Sequence, residues 1–175
     1  MIRWLLPVAV VAAIGAGAAM AATSATTTSA PTVKAVSSAK YGTVLVSASG
    51  RTLYRYTVDS KGVNRCTSVA ICNKYWPPML VKASVKPVAG PGLKASLLGT
   101  INAKAAGMRQ VTYAGFPLYT FAGDSKAGQT NGEGFEKQWY VVNTSGALVK
   151  SAVGSGAPAP AYPAATTTAS PSAWG

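Results

Sequence analysis

The sequence predicts an all-β fold: one small domain of two related antiparallel repeats, each a hairpin or meander followed by a Trp-led strand, with flexible ends. Two observations carry this. The first is a stretch that occurs twice, Gly-Arg-Thr-Leu-Tyr-Arg-Tyr-Thr-Val-Asp-Ser at 50–60 and Gly-Phe-Pro-Leu-Tyr-Thr-Phe-Ala-Gly-Asp-Ser at 115–125. Setting Gly50 on Gly115 also aligns Val46 with Val111, Leu53 with Leu118, Tyr54 with Tyr119, Tyr56 with Phe121 and Asp59 with Asp124. The second is alternation: Tyr54 and Tyr56 share one strand face and Leu53 and Arg55 the other, a period of two that suits a half-buried pleated surface.

From the N-terminus, residues 1–21 have the pattern of a signal peptide. Arg3 supplies the positive end, Leu5 to Ala19 the apolar stretch, and Ala19-Met20-Ala21 a small-residue cleavage site. Residues 22–39 are Ala, Thr, Ser, Pro and Val with a single Lys34, too poor in large apolar groups to pack, and are expected to be a disordered linker. The folded domain is placed at 40–150, with repeat 1 at about 41–85 and repeat 2 at about 99–150.

In each repeat a β-hairpin is predicted. The preceding strands, 42–48 and 108–114, turn at Ser49-Gly50 and Ala114-Gly115 into the aromatic runs. Asp59 and Asp124 follow where the strand pattern ends, a setting in which a short carboxylate accepts backbone N–H bonds and holds a turn. Trp76 and Trp139 each open an apolar strand after a loop, although Pro77 and Pro78 cannot donate to a ladder, so that strand is an edge or starts after them. Residues 86–94 connect the repeats, Ala95 to Leu98 suit one helical turn, and a meander runs through Gly99–Lys104, Met108–Ala114 and Pro117–Ala122. Residues 151–175 form an Ala, Pro, Ser and Thr tail, disordered by composition.

Cys66 and Cys72 lie in a chain marked for export and are predicted to form a disulfide; closing so short a loop contributes on the order of 2 kcal/mol. A redox-active pair is the sharper alternative, but the spacing is not Cys-x-x-Cys. With no histidine in the chain, zinc and blue copper lack their usual ligands, so no cofactor is expected.

The paired motifs Tyr54, Tyr56, Asp59 and Tyr119, Phe121, Asp124 resemble the bacterial family of secreted repeats of unknown function, predicted lipoproteins with a Tyr-x-(Phe/Trp/Tyr)-x-x-Asp motif. The surrounding Gln110-Val111-Thr112-Tyr113, Thr130-Asn131-Gly132 and Trp139-Tyr140-Val141-Val142 fit the same pattern, over about residues 41–150. The resemblance implies a secreted or envelope location and a two-repeat β domain. It brings no established activity and so no catalytic residues. Family members are often anchored through a Cys at the cleavage point, whereas the first Cys here is Cys66, so that anchor is not expected.

Chemistry is narrowed further by composition. Absence of histidine excludes Ser/His/Asp and Cys/His nucleophilic arrangements and histidine as acid or base. A carboxylate pair for glycan hydrolysis remains, Asp59 with Asp124 or Asp124 with Glu133 or Glu136, provided that they converge in a cleft. The long Gly-rich loop 123–138 holds Asp124, Glu133 and Glu136 and is the expected place for a site. Sixteen Lys and Arg against four Asp and Glu give +12. Such a chain associates with anionic surfaces, but its cations are scattered singly, without the runs of a nucleic-acid binder. A non-catalytic envelope module for an anionic wall polymer, glycan or envelope protein is the reading that fits best; an extracytoplasmic redox accessory is the alternative.

Overall fold

The computed structural model describes residues 32–152. The predicted signal segment, residues 22–31 of the predicted linker and the tail from 153 lie outside the described residues. Eight strands follow in order: β1 (Val33–Ser38), β2 (Gly42–Ser47), β3 (Tyr54–Tyr56), β4 (Leu80–Lys82), β5 (Leu98–Asn102), β6 (Met108–Tyr113), β7 (Phe116–Pro117) and β8 (Trp139–Val141), with one helix, α1 (Ala70–Tyr75), after β3. All pairings between named strands are antiparallel: β1 with β2, β3 with β8, and β6 with β4, β5 and β7.

Two expectations are corrected. Residues 33–38 of the predicted linker are strand β1, in register with β2 from Val33 opposite Ser47 to Ser38 opposite Gly42. Val33 is wholly buried against Leu45 and Leu53. One buried valine and a full ladder of backbone bonds suffice where composition alone indicates too little to pack. The second correction concerns the hairpins. In repeat 2, β6 turns through Ala114-Gly115 into β7 as expected, but β7 holds only Phe116–Pro117 of the strand expected to run to Ala122, and Tyr119 beyond it pairs by isolated bridges to Tyr54 and Pro78. In repeat 1, β2 bonds the returning chain only at its start, through Ser47 N to Arg51 O and Leu53 N to Leu45 O. The aromatic strand β3 then leaves its own repeat and pairs with β8 of the other.

This exchange is reciprocal. Tyr54 and Tyr119, equivalent positions, pair with each other: Tyr54 N donates to Tyr119 O at 2.9 Å and Tyr119 N to Tyr54 O at 3.0 Å. On one side of that pair, β3 runs against β8. On the other, the chain leaving α1 runs against residues 119–122, with Thr120 N to Pro77 O at 3.0 Å and Ala122 N to Tyr75 O at 2.8 Å; Trp76 is the C-cap residue of α1, and the strand that follows it begins only after the prolines, at Leu80. Pro77 fits because it contributes its carbonyl here and no N–H is asked of it. Each Trp-led strand goes on to the other repeat's first hairpin strand, by Leu45 N to Val142 O and Val111 N to Met79 O, both 2.8 Å. The domain is an internal pseudo-dimer whose halves share their sheets.

Candidate functional site

At the centre, the duplicated side chains meet across the exchange. The Tyr54 hydroxyl donates to Asp124 Oδ2 at 2.6 Å, and the Tyr119 hydroxyl donates to Asp59 Oδ2, also at 2.6 Å. Each motif tyrosine is thus bound to the aspartate of the other repeat. The second carboxylate oxygens hold local turns: Asp59 Oδ1 accepts from Arg65 N and Asp124 Oδ1 from Asn131 N, both at 2.8 Å. Trp76 and Trp139 stack face to face with centroids 3.9 Å apart. Tyr56 stacks on Trp139 and Phe121 lies tilted on Trp76, each at 4.4 Å and each from the opposite repeat. Tyr54 and Tyr119 meet the Trp of their own repeat edge to face.

The electrostatics follow from burial. Desolvation pushes the Asp59 carboxyl up to about 6, against the Arg65 N–H, the Tyr119 hydroxyl and the charges of Arg55 and Arg65. Burial likewise raises Asp124, opposed by Tyr54, Asn131 and Arg51. The tyrosine hydroxyls are raised far above their usual range, first by burial and then by the neighbouring carboxylate, so they remain donors at every physiological pH. Both aspartates are buried and fully engaged with protein donors. As placed, they present no free carboxylate oxygen to a substrate.

The loop 123–138 is likewise turned inward. Glu133 is buried and its Oε2 accepts from Val141 N at 2.6 Å, with burial pushing its carboxyl up to about 7. Glu136 is exposed, on a 3-10 turn (Phe135–Lys137) in which its own φ is 50°. Among the described residues no three Asp, Glu, Cys or His side chains gather as metal ligands. Cys66 and Cys72 form the predicted disulfide, both wholly buried, which fastens α1 to the preceding turn.

The open cavity lies elsewhere. A cleft of about 930 Å³ runs between the disulfide loop of repeat 1 and the β5–β6 hairpin of repeat 2. Gln110 forms part of its base: buried, it accepts from Asn64 Nδ2 and donates from Nε2 to Leu118 O at 3.0 Å. Asn73 on α1, Asn102 on β5 and Arg109 on β6 line the walls. Arg109 is fixed along β5 by bonds from Nε to Thr100 Oγ1 (2.7 Å) and from Nη1 to Asn102 Oδ1 (3.1 Å). Lys104 Nζ reaches Thr67 O at 2.8 Å. Sequence reasoning did not single out these residues. One signal was present: aligning the repeats puts Gln110 opposite Leu45, an amide in place of a core leucine.

A family model described as a secreted repeat of unknown function matches residues 35–79 and 100–143, one match in each half. No curated protein and no solved structure matches the chain.

Proposed function

Because the chain belongs to the family of secreted repeats of unknown function, we propose that it acts outside the cytoplasm as a non-catalytic module that binds an anionic wall polymer or acidic glycan. The observation that carries this reading is the sorting of charge. Of the four acidic side chains, Asp59, Asp124 and Glu133 are buried and only Glu136 is exposed, whereas eleven Lys and Arg are exposed among the described residues. Burying the acids leaves the exposed surface almost entirely of one sign. A surface of one sign attracts polyanions over a Debye length. Along the chain the exposed cations occur singly from Lys40 to Lys150, without a run, which suits a long polyanion.

Two observations weigh against the other classes. The aspartates that a glycan hydrolase would need are bound to tyrosine hydroxyls and backbone amides. The disulfide is buried at both sulfurs, where no attacking thiolate reaches it. No helix among the described residues is long and apolar enough to cross a membrane.

Co-sedimentation of the purified chain with isolated cell wall and with an acidic polysaccharide tests the reading. Retention is expected at an ionic strength of about 0.01 M and release towards about 1 M, over which the Debye length falls from roughly 30 to 3 Å. Absence from the pellet at the lower ionic strength would overturn it.

A further inference from the structure

We infer that the cleft between the disulfide loop and the β5–β6 hairpin is a saccharide-binding site for an acidic glycan, with Arg109 and Lys104 meeting its carboxylates and the amides of Asn64, Asn73 and Asn102 its hydroxyl and acetamido groups, over a base fixed by the buried Gln110. The inference rests on the reading of the domain as an anion-binding module, and gives that reading a specific site.

Five features of the cleft support it. Its volume, about 930 Å³, lies near the top of the range of roughly 300–1,000 Å³ that ligand sites occupy, room for several sugar rings in an open groove. Its lining contains no Asp or Glu, so an anionic ligand meets no like charge. Side-chain amides offer a donor and an acceptor on one planar group, which matches vicinal hydroxyls that act as both. The parts are also held before any ligand arrives. Asn64 is fixed through Gln110 and through Thr67 N, which donates to its Oδ1 at 2.9 Å; Arg109 is clamped to Thr100 and Asn102; Asn73 rides on a helix pinned by Cys72. A site whose side chains are already ordered loses less entropy on binding. The Pro77-Pro78 pair in the lining adds rigid apolar surface for the C–H face of a ring.

The cleft also belongs to both repeats at once, since Asn64 and Asn73 come from the first and Asn102, Arg109 and Gln110 from the second. Its asymmetry follows from the sequence: repeat 1 alone carries the disulfide and α1, and repeat 2 alone has the buried glutamine, where its counterpart has Leu45.

The test is calorimetric titration of the full chain with a hyaluronan hexasaccharide, which alternates uronate and acetamido sugars, with hexaglutamate as a control of the same chemical charge type. One site is expected. Asn73→Ala and Arg109→Gln are each expected to weaken binding about tenfold or more, the loss that follows removal of one polar contact to a charged or hydroxylated ligand. Lys137→Ala and Lys150→Ala, which are exposed and lie outside the cleft, are expected to change it by less than about twofold. Arg109→Gln also removes bonds to β5, so if it unfolds, Asn73→Ala at its exposed helical position decides the case. Cleft variants that bind as the parent does, while wall retention persists, would overturn the site and leave the surface-charge reading standing. Equal affinity for hexaglutamate would overturn the glycan assignment. Loss of wall retention and hexasaccharide binding together would remove both.

Discussion

Tyr54 and Tyr119 are the residues whose chemistry most depends on the partner repeat. A hydroxyl that donates to a buried carboxylate contributes about 1.5–3 kcal/mol, and removing it leaves a charge short of one donor in a medium that solvates it poorly. Tyr54→Phe and Tyr119→Phe should each lose about that much stability in urea. The pairing itself is tested by double-mutant cycles. Tyr54→Phe with Asp124→Asn should show a coupling of about 1–3 kcal/mol, whereas Tyr54→Phe with Asp59→Asn, from the same motif, should show clearly less; the opposite order would contradict the exchange.

The same burial sets a pH dependence. Asp59 and Glu133 are raised to about 6 and about 7 when folded, from ordinary values of 3.8 and 4.5. The native state therefore holds their protons more tightly than the unfolded chain. Their contribution to stability is full below about pH 4, is lost as the pH rises towards about 7, and is constant above that. For Glu133 the difference is on the order of 3 kcal/mol. Unfolding of the parent and of Glu133→Gln, each measured at pH 4.5 and at pH 8, should show a smaller fall in the variant. Equal falls would mean that burial does not set the Glu133 carboxyl. Charge repulsion among the cations also changes with pH, but it is nearly common to both proteins and leaves their difference intact.

At the scale of elements, the two hairpin turns provide a matched comparison. Gly50 and Gly115 hold the same left-handed conformation, with φ of 84° and 85°. An added Cβ at Gly50 would lie 2.9 Å from the Ala127 Cβ, whereas at Gly115 it would meet the flexible Lys61 side chain at 3.2 Å. Both Gly→Ala changes carry the backbone cost of about 1–2 kcal/mol. Gly50→Ala should lose more, because Ala127 can yield only by moving its backbone, and thermal unfolding of the two variants should rank them in that order. These turns, the strands around them, the 3-10 turn at Ala95–Leu97 and the disulfide were all legible from glycine placement, alternation and cysteine spacing. Two elements were not. Strand β1 contains no aromatic residue, and its Val-Lys-Ala-Val-Ser-Ser reads as linker until Val33 is seen to be buried. Helix α1 has six residues and no side-chain N-cap, and its place is set by a disulfide that propensity does not measure. The choice of partner was also hidden. Period-two alternation says which face of β3 is buried, but it is silent on which strand lies beside it.

For the whole molecule, the exchange changes what a repeat is. Two copies in sequence would ordinarily suggest two units that fold side by side, each around its own core. Here each Trp-led strand completes the sheet of the other copy, each motif tyrosine is bound by the other copy's aspartate, and the two tryptophans stack at the centre. Neither half alone supplies the hydroxyl donor for its own motif aspartate, and β3 and β4 find their named strand partners only in the other half. The loop expected to hold a site, 123–138, is spent on assembly: Asp124 bonds across to Tyr54 of the other repeat, Glu133 holds Val141 N within its own, and the open cleft forms where the halves differ. The consequence can be measured on separated halves. Residues 32–84 and 85–152, divided in the exposed connection after Lys82, retain every named strand intact. Each fragment alone should lack the near-ultraviolet signal of the stacked tryptophans and should not unfold cooperatively. Mixed in equal amounts, they should regain both, because the sheets, the Tyr–Asp bonds and the Trp stack need one contribution from each. If either fragment alone unfolds cooperatively as a monomer with that signal, the core is local and the reciprocal exchange is not what holds the domain together.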